Sequence, residues 1–124
     1  LAQPSSPVIL IVEDDLIILM HAASFLGDAG FQTVTASNAD AAVLILGARL
    51  DIRLVFTDVD MPGSMNGMKL ASAVRKRWPP IELIITSGKP GPSAADLPAR
   101  GLFFSKPYRP NDIIDAARSF SLAA

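Results

Sequence analysis

The side chains best suited to chemistry in this sequence stand where apolar runs stop. Glu13 and Asp14 close Val8-Ile9-Leu10-Ile11-Val12, Asp58 closes Arg53-Leu54-Val55-Phe56-Thr57, Thr86 follows the run from Glu82 to Ile85, and Lys106 follows Gly101-Leu102-Phe103-Phe104. Carboxylates gathered in one place repel one another and raise each other's pKa unless a cation sits among them. With oxygen donors alone on offer, and no Cys or His at these positions, the expected ion is Mg²⁺, or Mn²⁺, in octahedral geometry with some waters kept. A divalent ion together with Lys106 would balance the charge of Glu13, Asp14 and Asp58. Such a pocket suits phosphoryl transfer, where catalysis is mostly positioning and neutralisation of charge. An Asp carboxylate can be the nucleophile, giving an aspartyl phosphate. The Lys106 ammonium and the Thr86 hydroxyl could then reach the remaining phosphoryl oxygens.

These groups act together only if the chain gathers the ends of the runs. Val8 to Val12 is apolar on both faces, as in a central strand of a parallel sheet. Leu19, Ala23 and Leu26 follow at helical spacing and stop at Gly30, a residue suited to the left-handed position past a helix. Phe31 to Ala36 predicts a second strand, and Ser37 with Asp40 three residues on predicts a capped helix that fades near Gly47. Arg53 to Thr57 reads as a third strand, and Met61 to Gly67 as a loop of turn formers. Lys69 to Trp78 predicts a helix with Leu70, Ala71 and Val74 on one face, ended by Pro79-Pro80. Glu82 to Ile85 is the fourth strand. The Pro- and Gly-rich stretch from Lys89 to Pro98 admits a short or irregular helix of one or two turns at most. Gly101 to Phe104 is a fifth strand, and Pro110 opens a last helix carrying Ile113, Ile114 and Ala117. This alternation makes the chain an α/β protein with an open, doubly wound parallel sheet of about five strands. Ligands of such sheets gather outside the carboxyl ends of the strands, where all the residues above would lie.

Composition bounds the rest. The 124 residues, 50% hydrophobic and 19% charged, predict one domain over 8–124 behind a flexible leader at 1–7. A chain of this size buries roughly two-thirds of its unfolded surface, enough for a core without staples. The absence of cysteine removes disulfides, thiol nucleophiles and thiolate zinc sites, and is compatible with a reducing compartment. A formal charge of −1 leaves no basic footprint for nucleic acid. Leu16 to Leu26, interrupted by His21 and Ser24, is shorter than the roughly 20 residues a bilayer span needs, so no membrane segment is expected.

Four segments carry a further signal in order: VILIVEDD at 8–15, LVFTDVDMPGSMNG at 54–67, IITSG at 84–88 and FFSKP at 103–107. Together they resemble the receiver domain of bacterial two-component response regulators. The resemblance implies a flavodoxin-like fold with strand order 2-1-3-4-5. It implies that Asp58 is the phosphoacceptor, that Glu13 and Asp14 are the acid pair, and that Asp14 and Asp58 contact Mg²⁺ directly with the backbone carbonyl of Asp60 as third protein ligand. Thr86 and Lys106 would bind the phosphoryl group, Phe103 would be the switch aromatic, and the Lys106–Pro107 bond would be cis. The implied partners are a sensor histidine kinase or phosphotransfer protein and a downstream protein target, in the cytoplasm, with no nucleic acid and no membrane. Such a domain catalyses only its own phosphorylation and dephosphorylation. It can stand alone or belong to a hybrid kinase or another parent chain.

The sequence departs from the family pattern in the loop after Asp58, which is one residue longer than D-x-x-M-P-x-x-[DN]-G. Phe103 also lacks a hydroxyl, and the segment after Thr86, where the family commonly has a fourth helix that serves output, is rich in helix breakers. A second reading takes Asp58-Val59-Asp60 as the D-x-D motif of haloacid-dehalogenase-type phosphatases, which also use a later Thr or Ser and a Lys. It leaves Glu13 and Asp14 unexplained and meets Pro62 where Thr or Val is usual. Taken singly, the residues have plainer readings: Glu13, Asp14 and Asp15 as helix caps, His21 as a packing or surface residue, Trp78 as a helix-end anchor, and Arg75-Lys76-Arg77 as a solvated face.

Overall fold

Apolar runs and caps place each element of the computed structural model, which describes residues 7–61, 66–88 and 96–120. The strands are β1 (Val8–Val12), β2 (Gln32–Ala36), β3 (Ile52–Asp58), β4 (Glu82–Ser87) and β5 (Gly101–Ser105). The helices are α1 (Leu16–Asp28), α2 (Ala39–Ala48), α3 (Gly67–Arg77) and α4 (Pro110–Ser119). The sheet runs β2-β1-β3-β4-β5 and all its pairs are parallel. Every side chain of β1 is buried, as a strand covered on both faces requires. Alternate residues feed two cores. Val8, Leu10, Val12, Val55, Leu83 and Ile85 pack with α2 and α3, whereas Ile9, Ile11, Leu54, Phe56 and Ile84 pack with α1 and α4. This is the expected α/β fold with the expected strand order. No described helix is long and apolar enough to cross a membrane.

Helix starts are set by side chains that satisfy the first free backbone N–H groups. Asp15 Oδ1 accepts from the N–H groups of Ile17 and Ile18, 2.9 and 3.1 Å away, and Gly30 ends the turn after α1 at φ +99°. The cap of α2 is Asn38, whose Oδ1 accepts from Ala41 N at 2.7 Å, one residue beyond the expected Ser37. Asn66 caps α3 through Lys69 N at 2.9 Å, so that helix opens at Gly67 instead of Lys69. Pro110 opens α4 as expected.

The strands outlast their apolar runs. β3 includes Asp58 and β4 includes Thr86 and Ser87, with Asp58 in register with Thr86, because ladder hydrogen bonds join backbones whatever the side chain. The proposed leader falls largely outside the described residues, as does most of the Lys89 to Pro98 stretch. The Lys106–Pro107 bond is cis.

One close approach fixes the loop that follows β3. A Cβ on Gly67 would stand 1.9 Å from the carbonyl oxygen of Asp58, and Gly67 N donates to Val59 O at 3.2 Å. The start of α3 is thus seated on the backbone of Asp58, at a distance only glycine allows. Gly67→Ala is expected to cost about 2 kcal/mol, typical of overpacking, and to lower the melting temperature by several degrees in calorimetry. The same variant should weaken any ligand response of Asp58.

Candidate phosphoacceptor site

Sheet parity delivers the site. Along the face that packs on α1 and α4, Ile9 and Ile11 are followed by Glu13, Leu54 and Phe56 by Asp58, Ile84 by Thr86, and Phe104 by Lys106. Since strand side chains alternate with period two, these four polar groups emerge on one side at one edge of the sheet. Hydrogen bonds beyond the strand ends hold the same edge: Glu13 N to Ala36 O at 3.1 Å, Val59 N to Thr86 O at 2.8 Å and Lys106 N to Ser87 O at 2.8 Å.

Lys106 is the common partner. Its Nζ donates to Glu13 Oε1 at 3.1 Å and lies 3.2 Å from Asp58 Oδ1. The second contact is an ion pair without hydrogen-bond alignment, and Asp58 Oδ1 is otherwise buried without a hydrogen-bond partner. Asp58 is 3% exposed and Glu13 5%, so water solvates neither carboxylate well. Burial, the largest influence, pushes the Asp58 carboxyl above its ordinary value against the pull of Lys106. Burial also raises Glu13, joined by the charge of Asp58, while the Asp15 N–H and Lys106 pull the other way. For Lys106, burial lowers the pKa, but hydrogen bonding to Glu13 and the charge of Asp58 outweigh it and the net shift is upward.

The acidic triplet divides its labour. Asp15 caps α1, the plain reading of that residue, and its N–H donates to Glu13 Oε2 at 3.1 Å. Glu13, Asp14 and Asp58 offer oxygens that all lie within 4.8 Å of one another. Asp14 is exposed and the other two are buried. A divalent cation fits this donor set, because the ligands are hard oxygens, their charges repel, and one buried oxygen of Asp58 lacks a donor. Asp60 is brought near but turned aside: its Oδ2 accepts from Ser87 Oγ at 3.1 Å and from Gly88 N at 3.4 Å. Thr86 is buried and lines a small space with Glu13 and Asp58. Phe103 lies apart from the acids, half-buried against the core shared with α2 and α3.

Tyr108 belongs to the site and was not singled out by the residue pattern. It lines the same small space as Asp58, and its ring meets Phe56 edge-on with centroids 5.6 Å apart. Burial raises its phenol pKa, and the nearby charges of Lys106, Glu13 and Asp58 also act on it. The available signal was an aromatic two residues beyond the site lysine.

Comparison with known proteins bears on the family and the fold. The family model of the response regulator receiver domain matches residues 9–118. The nitrogen assimilation regulatory protein NtrX of Azorhizobium caulinodans is 33% identical over 81 residues, which covers 64% of this chain and 18% of that protein. The hydrogenase transcriptional regulatory protein HoxA of Cupriavidus necator is 33% identical over 95 residues, covering 73% of this chain and 19% of that one. The chain therefore spans less than one fifth of the length of these curated relatives. Among solved structures, a response regulator receiver domain protein from Clostridium thermocellum superposes with a TM-score of 0.83 at 25% identity, over 92% of this chain and 93% of that one. With the fold, the strand order and this family match in agreement, the chain belongs to the response regulator receiver domain family.

Proposed function

We propose that this domain is a phosphoacceptor: Asp58 takes a phosphoryl group from a phosphohistidine on a sensor kinase or phosphotransfer protein, holds it as an acyl phosphate, and loses it to water. The observation that carries this reading is the buried Asp58 carboxylate, 3.2 Å from the Lys106 ammonium and grouped with Glu13 and Asp14. Glu13, Asp14 and Asp58, with the backbone carbonyl of Asp60, would hold Mg²⁺ or Mn²⁺, which when bound neutralises charge on the phosphoryl oxygens.

An oxygen of Asp58 forms a bond to phosphorus as the nitrogen–phosphorus bond of the phosphohistidine breaks, and the imidazole leaves with the electron pair. Lys106, already beside the reacting carboxylate, pairs with a phosphoryl oxygen as charge moves onto the transferring group. The Thr86 hydroxyl, on the same sheet face, donates to another. Water then attacks phosphorus, the anhydride opens, and carboxylate and inorganic phosphate are restored. Phe103 turns inward as these contacts form, and the altered β4–β5 face signals to a downstream protein target. The reading places the domain in the cytoplasm, working through protein contacts and not through nucleic acid or membrane. The phosphatase alternative requires the carboxylate of Asp60 as a second acid, and that group is engaged by Ser87 and Gly88.

Acetyl phosphate with Mg²⁺ should place one acid-stable, hydroxylamine-labile equivalent on the parent protein and none on Asp58→Asn. Equal labelling of the two would remove the assignment, and many turnovers of p-nitrophenyl phosphate would favour a phosphatase.

Magnesium should raise the melting temperature by linkage, with about 2.7 kcal/mol gained at a hundredfold excess over its dissociation constant. The response should be lost in Glu13→Ala/Asp14→Ala, as read by scanning fluorimetry.

The metal-free protein should show the opposite face of the same electrostatics. The folded state raises Asp58 and Glu13 above their ordinary 3.8 and 4.5. Their support for folding is therefore full below about pH 4 and is lost as pH rises through the folded values. In chelator at pH 7, Asp58→Asn should melt several degrees above the parent, and the gap should close on acidification toward about pH 4. A gap that persists there, or one of opposite sign, would contradict the electrostatic account.

A further inference from the structure

Ile18, Tyr108 and Lys106 stand between the phosphoacceptor site and an open cleft on its α1 side. Between Asp58 and the α1-side core lies a space of about 10 Å³, bordered by Glu13, Thr86, Ile18 and Tyr108 and by the core side chains Ala22 and Phe56, with room for about one water. Beside it, a cleft of about 420 Å³ is lined by Ile18, His21, Gly88, Lys106, Pro107 and Tyr108. Ile18 and Tyr108 line both and form the uncharged part of the partition, which Lys106 completes with its Nζ held by Glu13 and Asp58. The Tyr108 ring is held edge-on by Phe56 of β3, at 5.6 Å between centroids, and by Phe25 of α1, at 6.2 Å. Phe25 in turn meets His21 at 5.3 Å. These separations lie within the range of favourable edge-to-face pairs, so the ring is braced from both the sheet and the helix.

We propose that the Ile18–Tyr108 partition restricts the entry of water to the Asp58 acyl phosphate from the α1 side and thereby lengthens its lifetime. The inference rests on the phosphoacceptor reading. Hydrolysis requires a water at phosphorus, and the sec-butyl side chain of Ile18 and the aromatic carbons of Tyr108 offer passing water nothing to replace the hydrogen bonds it loses. Exclusion of water in this way protects reactive intermediates. Tyr108 is a positioning residue here: its ring blocks a path, and its hydroxyl takes no part in the bond changes.

The test compares decay of the radiolabelled acyl phosphate after excess acetyl phosphate is removed, with Mg²⁺ kept constant. Tyr108→Ala should shorten the half-life roughly tenfold, and Ile18→Ala should shorten it by a smaller factor in the same direction. Tyr108→Phe, which keeps the ring, should decay at the parental rate. The Mg²⁺-induced melting shift should be the same in all of them, because a merely loosened site would lose metal response and slow the chemistry. Parental decay in both alanine variants overturns the inference, as does equal acceleration in Tyr108→Phe and Tyr108→Ala, or acceleration accompanied by loss of the Mg²⁺ response. Where Tyr108→Ala fails to fold, Ile18→Ala decides. A parent protein that takes no label defeats the phosphoacceptor reading and this inference with it, whereas a labelled parent with unchanged variants defeats this inference alone.

Discussion

Much of this molecule is arranged around a conflict of like charges at the edge of its sheet. Glu13 and Asp58 are buried within reach of each other, Asp14 adds a third carboxylate, and the Lys106 ammonium touches the first two. Removing a carboxylate from water is costly unless it is paired, and one ammonium cannot pair with three. The upward pressure on the pKa of Asp58 and Glu13 is the imprint of that shortfall. A divalent cation held by these carboxylates would resolve it, and under the proposed function an incoming phosphoryl group would meet a lysine already in place. On that reading, the strain of the metal-free pocket and its suitability for phosphoryl chemistry have one cause.

The surrounding fold holds this conflict in position. Five parallel strands sandwiched between two helix layers place apolar side chains on both faces, and the large buried area steadies an edge that would otherwise repel itself apart. Backbone features refine the placement. Gly67 lets the start of α3 rest against the Asp58 carbonyl, and Asp15 anchors α1 while its N–H steadies Glu13. Asp60 ties the loop after β3 to the end of β4 through Ser87 and Gly88. Each device links a site residue to a neighbouring strand or helix.

The opposite end of the sheet shows how separate tasks are kept apart. There Arg75 donates to the carbonyls of Ala99, Pro79 and Ile81, which binds the end of α3 to the approach to β5. Burial is the main influence that lowers its pKa, but its partners are neutral carbonyls and the cluster is a structural tie. Part of the basic run that the sequence presents as a solvated face therefore serves as a fastener. Arg77, in the same run, stacks 4.4 Å above the Trp78 ring, in keeping with Trp78 as a helix-end anchor.

The sequence by itself determined the order of elements, the two-faced burial of the central strands and the residues at their carboxyl ends. Those follow from periodicity, and periodicity is a local property: Ile9-Ile11-Glu13 and Leu54-Phe56-Asp58 declare a common face before any strand is paired. The resemblance carried by four ordered segments added the strand order and the cis Lys106–Pro107 bond, both of which the structure shows. Only the tertiary structure decided which acid does what. Three consecutive acids look alike in sequence, yet Asp15 caps a helix whereas Glu13 meets a lysine 93 residues away. It also decided that Asn38 and not Ser37 caps α2, that Asp60 turns to Ser87, and that Tyr108 and Ile18 line the space beside Asp58. Hydrogen bonds, ion pairs and cavity walls depend on which distant groups arrive within a few ångströms, and that distance is set by packing, which no local pattern records.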